Sequence, residues 1–171
     1  VPKRSWYDGS ARPAWLPVTP LPARLDAKTN MAFYARRQQH QVFQASTAMA
    51  LPAPGVAAGL AEFQGDPHWY FPGVRRDGAT DGGGGVEVFL EKKAGEGEPE
   101  IVARQAVATT DALTLHIDGH EGTYGFGFDA GDGKGVQWLV RAADGTVLST
   151  DVAGGFVGAT LGPHARLEPA P

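Results

Sequence analysis

The strongest constraint on the fold is an alternation of apolar and polar residues with period two, which begins at residue 31 and recurs along the chain. Clear examples are 86–90, 113–117 and 124–128. Because successive side chains of a strand point to opposite faces, this pattern predicts β-strands. In 124–128 three aromatic residues share one face and glycines occupy the other, which permits close approach of another group.

Turn-forming residues separate these runs. The 171 residues include 24 Gly and 13 Pro, spread along the whole chain. Asp-Gly pairs favour tight hairpins, because glycine adopts the positive φ that such turns need. Many short strands at this spacing predict an all-β sandwich or barrel. The further predicted strands are 31–36, 41–50, 56–64, 68–76, 99–107, 135–141, 145–149 and 155–161.

The two ends of the chain differ from this pattern. Residues 10–25 carry four prolines, each of which disfavours helix at the preceding residue. We therefore expect residues 1–30 to form an extended, Pro-rich lead-in packed on the domain. The sandwich domain is predicted over 31–162, and 163–171 is predicted to be a C-terminal tail.

Composition excludes several functions. A net charge of −4 without a basic tract argues against nucleic-acid binding. No run reaches the roughly 18 apolar residues of a membrane span. The chain has no cysteine, which excludes disulfides and thiolate metal sites and is compatible with cytoplasm or periplasm. It opens on Val1 without an initiator Met, so we expect a processed product or a fragment of a longer protein.

Cleavage of a glycosidic bond needs two carboxyl groups, held on either side of the sugar ring. Nearly all acidic residues of this chain lie beside Gly or Lys in predicted turns, or at solvent-facing strand positions. Glu62, inside an apolar run, is the exception. We therefore predict no catalytic residues in this chain.

Other catalytic and metal sites are also disfavoured. No serine lies in a Gly-x-Ser-x-Gly elbow, and the histidines lack zinc spacing. Residues 129–135 superficially resemble a calcium loop but lack the distal Glu, so a hairpin turn is predicted there. We predict no cofactor and leave a structural calcium open.

Aromatic residues offer a candidate carbohydrate contact in the run His68-Trp69-Tyr70-Phe71. On a strand, Trp69 and Phe71 share one face, while His68 and Tyr70 share the other. One pair must lie in the core. The other pair either caps the sheet or presents rings that stack on sugar C–H faces, and Trp69 and Phe71 are our candidates.

Four segments carry a family resemblance. Residues 30–40, NMAFYARRQQH, resemble the opening "NPAFxxRRQQH" of the C-terminal domain of family 43 β-xylosidases and α-L-arabinofuranosidases. Residues 58–64 and 68–76 are similar to that family's "AGLxxFQ" and "HYYFxGVRR" strands. Residues 153–158 are similar to its "GxFVG" segment.

This resemblance implies a concanavalin-A-like (jelly-roll) antiparallel sandwich beside a five-bladed propeller that holds the catalytic carboxylates. The domain would help to wall a pocket for a terminal xylose or arabinose, with Phe156 as the aromatic residue that reaches it. Arg36, Arg37, Gln38 and His40 would lie at the interface to the catalytic domain. The expected partners are that domain and pentose oligosaccharides, with no nucleic acid and no membrane.

Two other functions stay open at this point: an independent carbohydrate-binding module, and a stand-alone enzyme with a different site. The family pattern also includes a final strand that we do not find here. The sandwich is therefore expected to be one strand short, or completed at its edge by another chain.

Overall fold

The computed structural model describes residues 6–8, 10, 12–76, 85–108, 112–155 and 158–169. Most of these residues lie in two antiparallel sheets. The helical segments of the described part are far too short to cross a membrane. The strands are β1 (Ala32–Phe33), β2 (Arg36–Arg37), β3 (Phe43–Ala50), β4 (Val56–Gly65), β5 (His68–Arg76), β6 (Val86–Ala94), β7 (Glu100–Val107), β8 (Ala112–His120), β9 (Thr123–Asp129), β10 (Gln137–Asp144) and β11 (Thr160–Leu167). A 3-10 turn (Gly145–Leu148) and a short helix α1 (Thr150–Ala153) precede β11.

The seven-stranded sheet has the order β1-β11-β4-β5-β6-β7, and β2 also pairs with β11. The four-stranded sheet has the order β10-β9-β8-β3. In the larger sheet, β11 is an interior strand: Ala165 pairs with Ala32 on one side and with Ala58 on the other. The predicted antiparallel, concanavalin-A-like sandwich is confirmed.

The main core lies between the facing sheets. It joins the inward residues of β4, β5 and β6 to those of β8 and β9. The aromatic face predicted in β9 is buried here, since Phe126 and Phe128 have no exposed surface and Tyr124 is 7% exposed. Alternation therefore identified the buried face of this strand correctly.

The glycine face of β9 is covered by a side chain. The indole of Trp138 lies over Gly125 and Gly127, with ring atoms 2.8 and 3.0 Å from where a Cβ on each glycine would stand. A Cβ at either position would meet the ring, so the two glycines allow Trp138 of β10 to pack closely against β9.

A second core lies on the outer face of the seven-stranded sheet. Trp69, Phe71 and Phe89 pack there with Leu25 of the Pro-rich lead-in, and all four side chains are fully buried. Leu21 forms a parallel bridge to Arg166, which places this part of the lead-in beside β11. The sheet is thus buried on both sides.

Charged residues border this second core in a network of ion pairs. Arg166 is 5% exposed and contacts both Glu91 and Glu168. Arg75 contacts Glu168 and Glu87 in turn. A buried guanidinium needs such partners, because an unpaired charge in the interior is strongly destabilising.

Three sequence predictions are wrong in detail. Residues 163–167 are not a tail, because they complete β11. Residues 145–149 do not form a strand: Asp144 accepts a hydrogen bond from the Thr146 peptide N–H and so begins the 3-10 turn. Within the strand predicted at 155–161, residues 156–157 lie outside the described residues, and among the others only Thr160 and Leu161 are in a strand, β11.

Candidate functional site

A polar groove of about 820 Å³ opens at one end of the sandwich. Four segments meet there: the connector after β2, the β8–β9 turn, the 3-10 turn with α1, and the residues before β11. The groove is lined by Gln38, Gln39, His40, Gln41, Glu121, Gly122, Thr123, Tyr124, Gly145, Leu148, Ser149, Thr150, Asp151, Gly158 and Ala159.

Hydrogen bonds to Gln38 join two of these segments to the four-stranded sheet. Its peptide N–H donates to the carbonyl oxygen of Ala159 over 3.0 Å. Its side chain accepts a 2.8 Å hydrogen bond from the Tyr124 hydroxyl and donates one of 2.8 Å to the His40 carbonyl. Gln38 and Ala159 are therefore direct neighbours, although they lie 121 positions apart in the sequence. Gln38 belongs to the 30–40 segment, and Ala159 directly follows the 153–158 segment.

Glu62 is a buried carboxyl group close to this groove. It has no exposed surface, and neither carboxyl oxygen has a hydrogen-bond partner among the described residues. Burial raises its pKa from an ordinary 4.5 to about 8. Burial, together with the Glu62 charge, raises the pKa of Tyr124 to about 12, so the phenol remains a hydrogen-bond donor. Because Glu62 is sealed from solvent, it cannot reach a substrate as an acid.

The predicted interface residues occupy the margin of the seven-stranded sheet. Arg36 and Arg37 form β2 and are both exposed, while Gln38 is half-buried and His40 is exposed at the groove. Arg37 pairs with Thr160 at the start of β11. The four residues thus form a continuous stretch from the sheet edge into the groove.

The predicted sugar platform is not present. Trp69 and Phe71 share one face as expected, but both are fully buried in the second core, and the Trp69 indole N–H donates to the Asp66 carbonyl. The lead-in supplies Leu25 to this face, a contact that strand alternation alone does not reveal. Neither ring is available to a ligand.

Phe156 lies outside the described residues. The segment around it is bounded by two contacts: the Gln64 side chain donates a 2.7 Å hydrogen bond to the Gly154 carbonyl, and Ala159 accepts from Gln38. Gly154 and Gly155 have positive φ values of 73° and 82°. These φ values explain why both positions are glycine, since other residues are strained in that conformation.

Metal-binding clusters of His, Cys, Asp or Glu are absent from the described part of the chain. The 129–135 segment is a turn in which Asp129 accepts from the Gly131 N–H and Asp132 from the Lys134 N–H. Asp132 also contacts the Lys134 ammonium at 2.7 Å. Both carboxyl groups are thus occupied in stabilising the turn.

Sequence analysis missed the role of Tyr124, which alternation assigned to the core alone. It is in the core, yet its hydroxyl reaches the groove and bonds to Gln38. The sequence does contain a signal for this contact. Tyr124 shares a strand face with Phe126 and Phe128, and a buried tyrosine hydroxyl, unlike a phenylalanine ring, needs a polar partner.

The two sheets and their topology define a concanavalin-A-like sandwich, a class that carries many functions. Residues 1–166 match the profile of the "Beta xylosidase C-terminal Concanavalin A-like domain" family, GH43_C2, and the chain belongs to that family. Among curated proteins, none matches the chain.

Solved structures that are similar to this chain include family 43 proteins. A GH43_12 protein from a capybara gut metagenome is 26% identical, with a TM-score of 0.78 over 88% of this chain and 28% of that one. The xyloglucan PUL GH43B of Bacteroides ovatus is 20% identical (TM-score 0.80, 94% and 31%). The xylan β-1,4-xylosidase of Bacillus halodurans C-125 is 19% identical (TM-score 0.79, 94% and 31%). The chain spans less than a third of each of these proteins.

Proposed function

We propose that this domain acts as the accessory part of a family 43 hydrolase of xylan- or arabinan-derived pentosides, a β-xylosidase or α-L-arabinofuranosidase. It walls the active-site pocket and supplies none of the catalytic carboxylates, which belong to a five-bladed propeller domain. Membership of the family supports the accessory role. The pocket role is supported by one observation above all: the segment that contains Phe156 is bounded by contacts to Gln64 and Gln38.

The carboxyl groups of the domain also fit an accessory role. Glu121 and Asp151 line the groove but are exposed and surrounded by polar groups. A glycosidase general acid instead needs surroundings that keep it protonated at neutral pH. Glu62 has such surroundings, but it is sealed from solvent.

Docking of the catalytic domain is proposed along the stretch from Arg36 to His40. Both arginines of β2 are exposed, and no ion pair is formed by either one among the described residues. Their guanidinium groups suit bidentate pairing with carboxylates of a partner surface. Charge reversal of Arg36 and Arg37 to Glu in the full-length gene product should therefore separate the unfolding transitions of the two domains in calorimetry, whereas a single unchanged transition would contradict docking here.

Hydrolysis of p-nitrophenyl β-xyloside and α-arabinofuranoside tests the function, using this chain alone and the full-length gene product. We expect activity only in the longer protein. In that protein, Phe156→Ala should lower kcat/KM about 10-fold or more, by removing a pocket wall, while Trp15→Ala in the lead-in serves as the aromatic control. Activity in the chain alone would overturn the accessory role, and unchanged turnover in Phe156→Ala would overturn the pocket role.

A further inference from the structure

Strand β3 forms an open edge of the four-stranded sheet. Among the described strands it pairs only with β8, so its other side presents backbone N–H and C=O groups that no described strand pairs. The register with β8 is one-to-one from Phe43 to Ala50, without a bulge. The sequence from 38 to 55 contains no Lys, Arg, Asp or Glu. This edge is therefore long, regular and uncharged, which is the kind of edge that accepts a further strand.

The other sheet edges of the described chain carry features that prevent such pairing. The strand β1 has only two residues. The strand β7 has a register shift against β6 and carries Glu100 and Arg104, both exposed. The strand β10 has two register shifts against β9, and its Gln137 side chain accepts a 3.1 Å hydrogen bond from Gln105 of β7. Short strands, bulges and charges all protect an edge, and β3 is the described edge that lacks them.

The side chains of β3 indicate which kind of strand would complete this edge. Phe43, Ala45 and Met49 face inward and pack against the main core, but they are only half-buried. The four outward-facing residues are exposed and uncharged. A strand that covers this edge should therefore have apolar residues on its inward face and uncharged residues on its outward face. The strand β3 itself has this pattern, so the edge is complementary to a second copy of itself.

We propose that β3 pairs antiparallel with β3 of a second copy of this chain, so that two four-stranded sheets join into one of eight strands. A two-fold contact of this kind uses the same surface on both subunits. Because paired residues share a face, the axis must pass through a residue, and Ser46 and Thr47 are the two at the middle of the strand. With the axis at Ser46, Phe43 lies opposite the partner's Met49, and in either register no charged side chains meet. The proposal goes beyond the pocket-wall function and does not depend on it.

Sedimentation equilibrium of this chain and of the full-length gene product, from micromolar to submillimolar concentration, tests the proposal. The weight-average mass of each protein should rise toward twice that of a single chain. The double variants Ser46→Lys/Ala48→Lys and Ser46→Glu/Ala48→Glu should each weaken self-association roughly 10-fold, because like charges then meet across the paired strands. An equimolar mixture of the two variants should restore it, since opposite charges then meet. The matched control Val102→Lys/Ala106→Lys, at exposed positions of β7, should leave self-association unchanged.

Three outcomes would overturn pairing through β3. The first is a single-chain mass for both proteins over the whole concentration range. The second is self-association that the β3 variants do not weaken, or that their mixture does not restore, which would place the contact elsewhere. The third is self-association of this chain together with a monomeric full-length product, which would show that the catalytic domain covers β3. Recovery in the mixture also separates loss of pairing from loss of folding, because two misfolded variants would not restore each other.

Discussion

Two buried titratable groups shape how the stability of this domain depends on pH. Burial raises the pKa of Glu62 to about 8 and lowers that of His164 to about 4. The Nδ1 atom of His164 bonds the Ala32 carbonyl, and its Nε2 atom has no partner among the described residues. Each group is therefore most stable in the interior as its neutral form.

The signs of the two effects are opposite. Between pH 4.5 and 8 the folded state keeps a proton on Glu62 that the unfolded chain releases, so stability falls as pH rises. Between pH 4 and 6.5 the unfolded chain holds a proton on His164 that the folded state lacks, so stability rises with pH. The effects oppose each other below pH 6.5, and only the Glu62 effect remains from pH 6.5 to 8.

Glu62→Gln should therefore remove a loss of stability that the parent chain shows between pH 6.5 and 8. The loss is at most about 1.4 kcal/mol per pH unit, the limit for one proton. Urea unfolding of this chain at both pH values measures it, with the exposed Glu96→Gln as the matched control. An equal slope in the parent and in Glu62→Gln would show that Glu62 ionises normally in the folded state.

At the scale of elements, the arrangement of β1, β2 and β11 depends on one glycine. Gly162 faces the chain between β1 and β2, where a Cβ would overlap the carbonyl oxygen of Tyr34. The Tyr34 N–H donates to the Pro163 carbonyl in the same place. The close approach keeps the residues that lead to Arg36 and Gln38 against the sheet.

Gly162→Ala should force this contact apart and destabilise the chain by about 1–3 kcal/mol, the usual cost of overpacking. Gly97→Ala is the matched control, because a Cβ at Gly97 meets nothing within 4 Å. Denaturant unfolding of both variants gives the comparison. If the two variants lose equal stability, the close contact between Gly162 and Tyr34 does not hold β1 and β2 against the sheet.

Strand prediction succeeded or failed for identifiable physical reasons. Runs with one buried face, such as β8, alternate clearly and were placed within a few residues. The 145–149 segment also contains apolar residues, but Asp144 caps a 3-10 turn there, and a local cap of this kind does not change the alternation. The groove could not be predicted from periodicity, because it forms where segments far apart in sequence meet; the family resemblance named Gln38 and His40, and only the structure showed their contacts.

At the scale of the whole molecule, the lead-in over the described residues 12–30 is part of the folded unit. It contributes Leu25 to the second core, which is why Trp69 and Phe71 are buried although their sheet face points away from the main core. A sheet face with this much apolar surface would otherwise be open to solvent. The lead-in thus determines whether the outer face is a core or an exposed patch.

Leu25→Ala should cost about 2–5 kcal/mol, as for other fully buried leucines. Leu16→Ala, 39% exposed in the same lead-in, should cost far less. Thermal unfolding of both variants, followed by far-UV circular dichroism, gives the comparison. Equal costs for both leucines would mean that the lead-in does not seal the second core.

The interior position of β11 has a consequence for how the chain is made. The contact between Ala32 and His164 joins residues 132 positions apart. At about 5–20 residues per second, a ribosome needs roughly 7 to 26 seconds to extend a chain by that length. The edge of β4 that β11 will occupy stays unpaired for most of that interval, since His164 also pairs with Gly59, and β1 and β2 have no β11 to join until its end. An unpaired strand edge is a template for wrong pairing, so changes that slow translation before residue 160 would lengthen the exposure of this edge to aggregation.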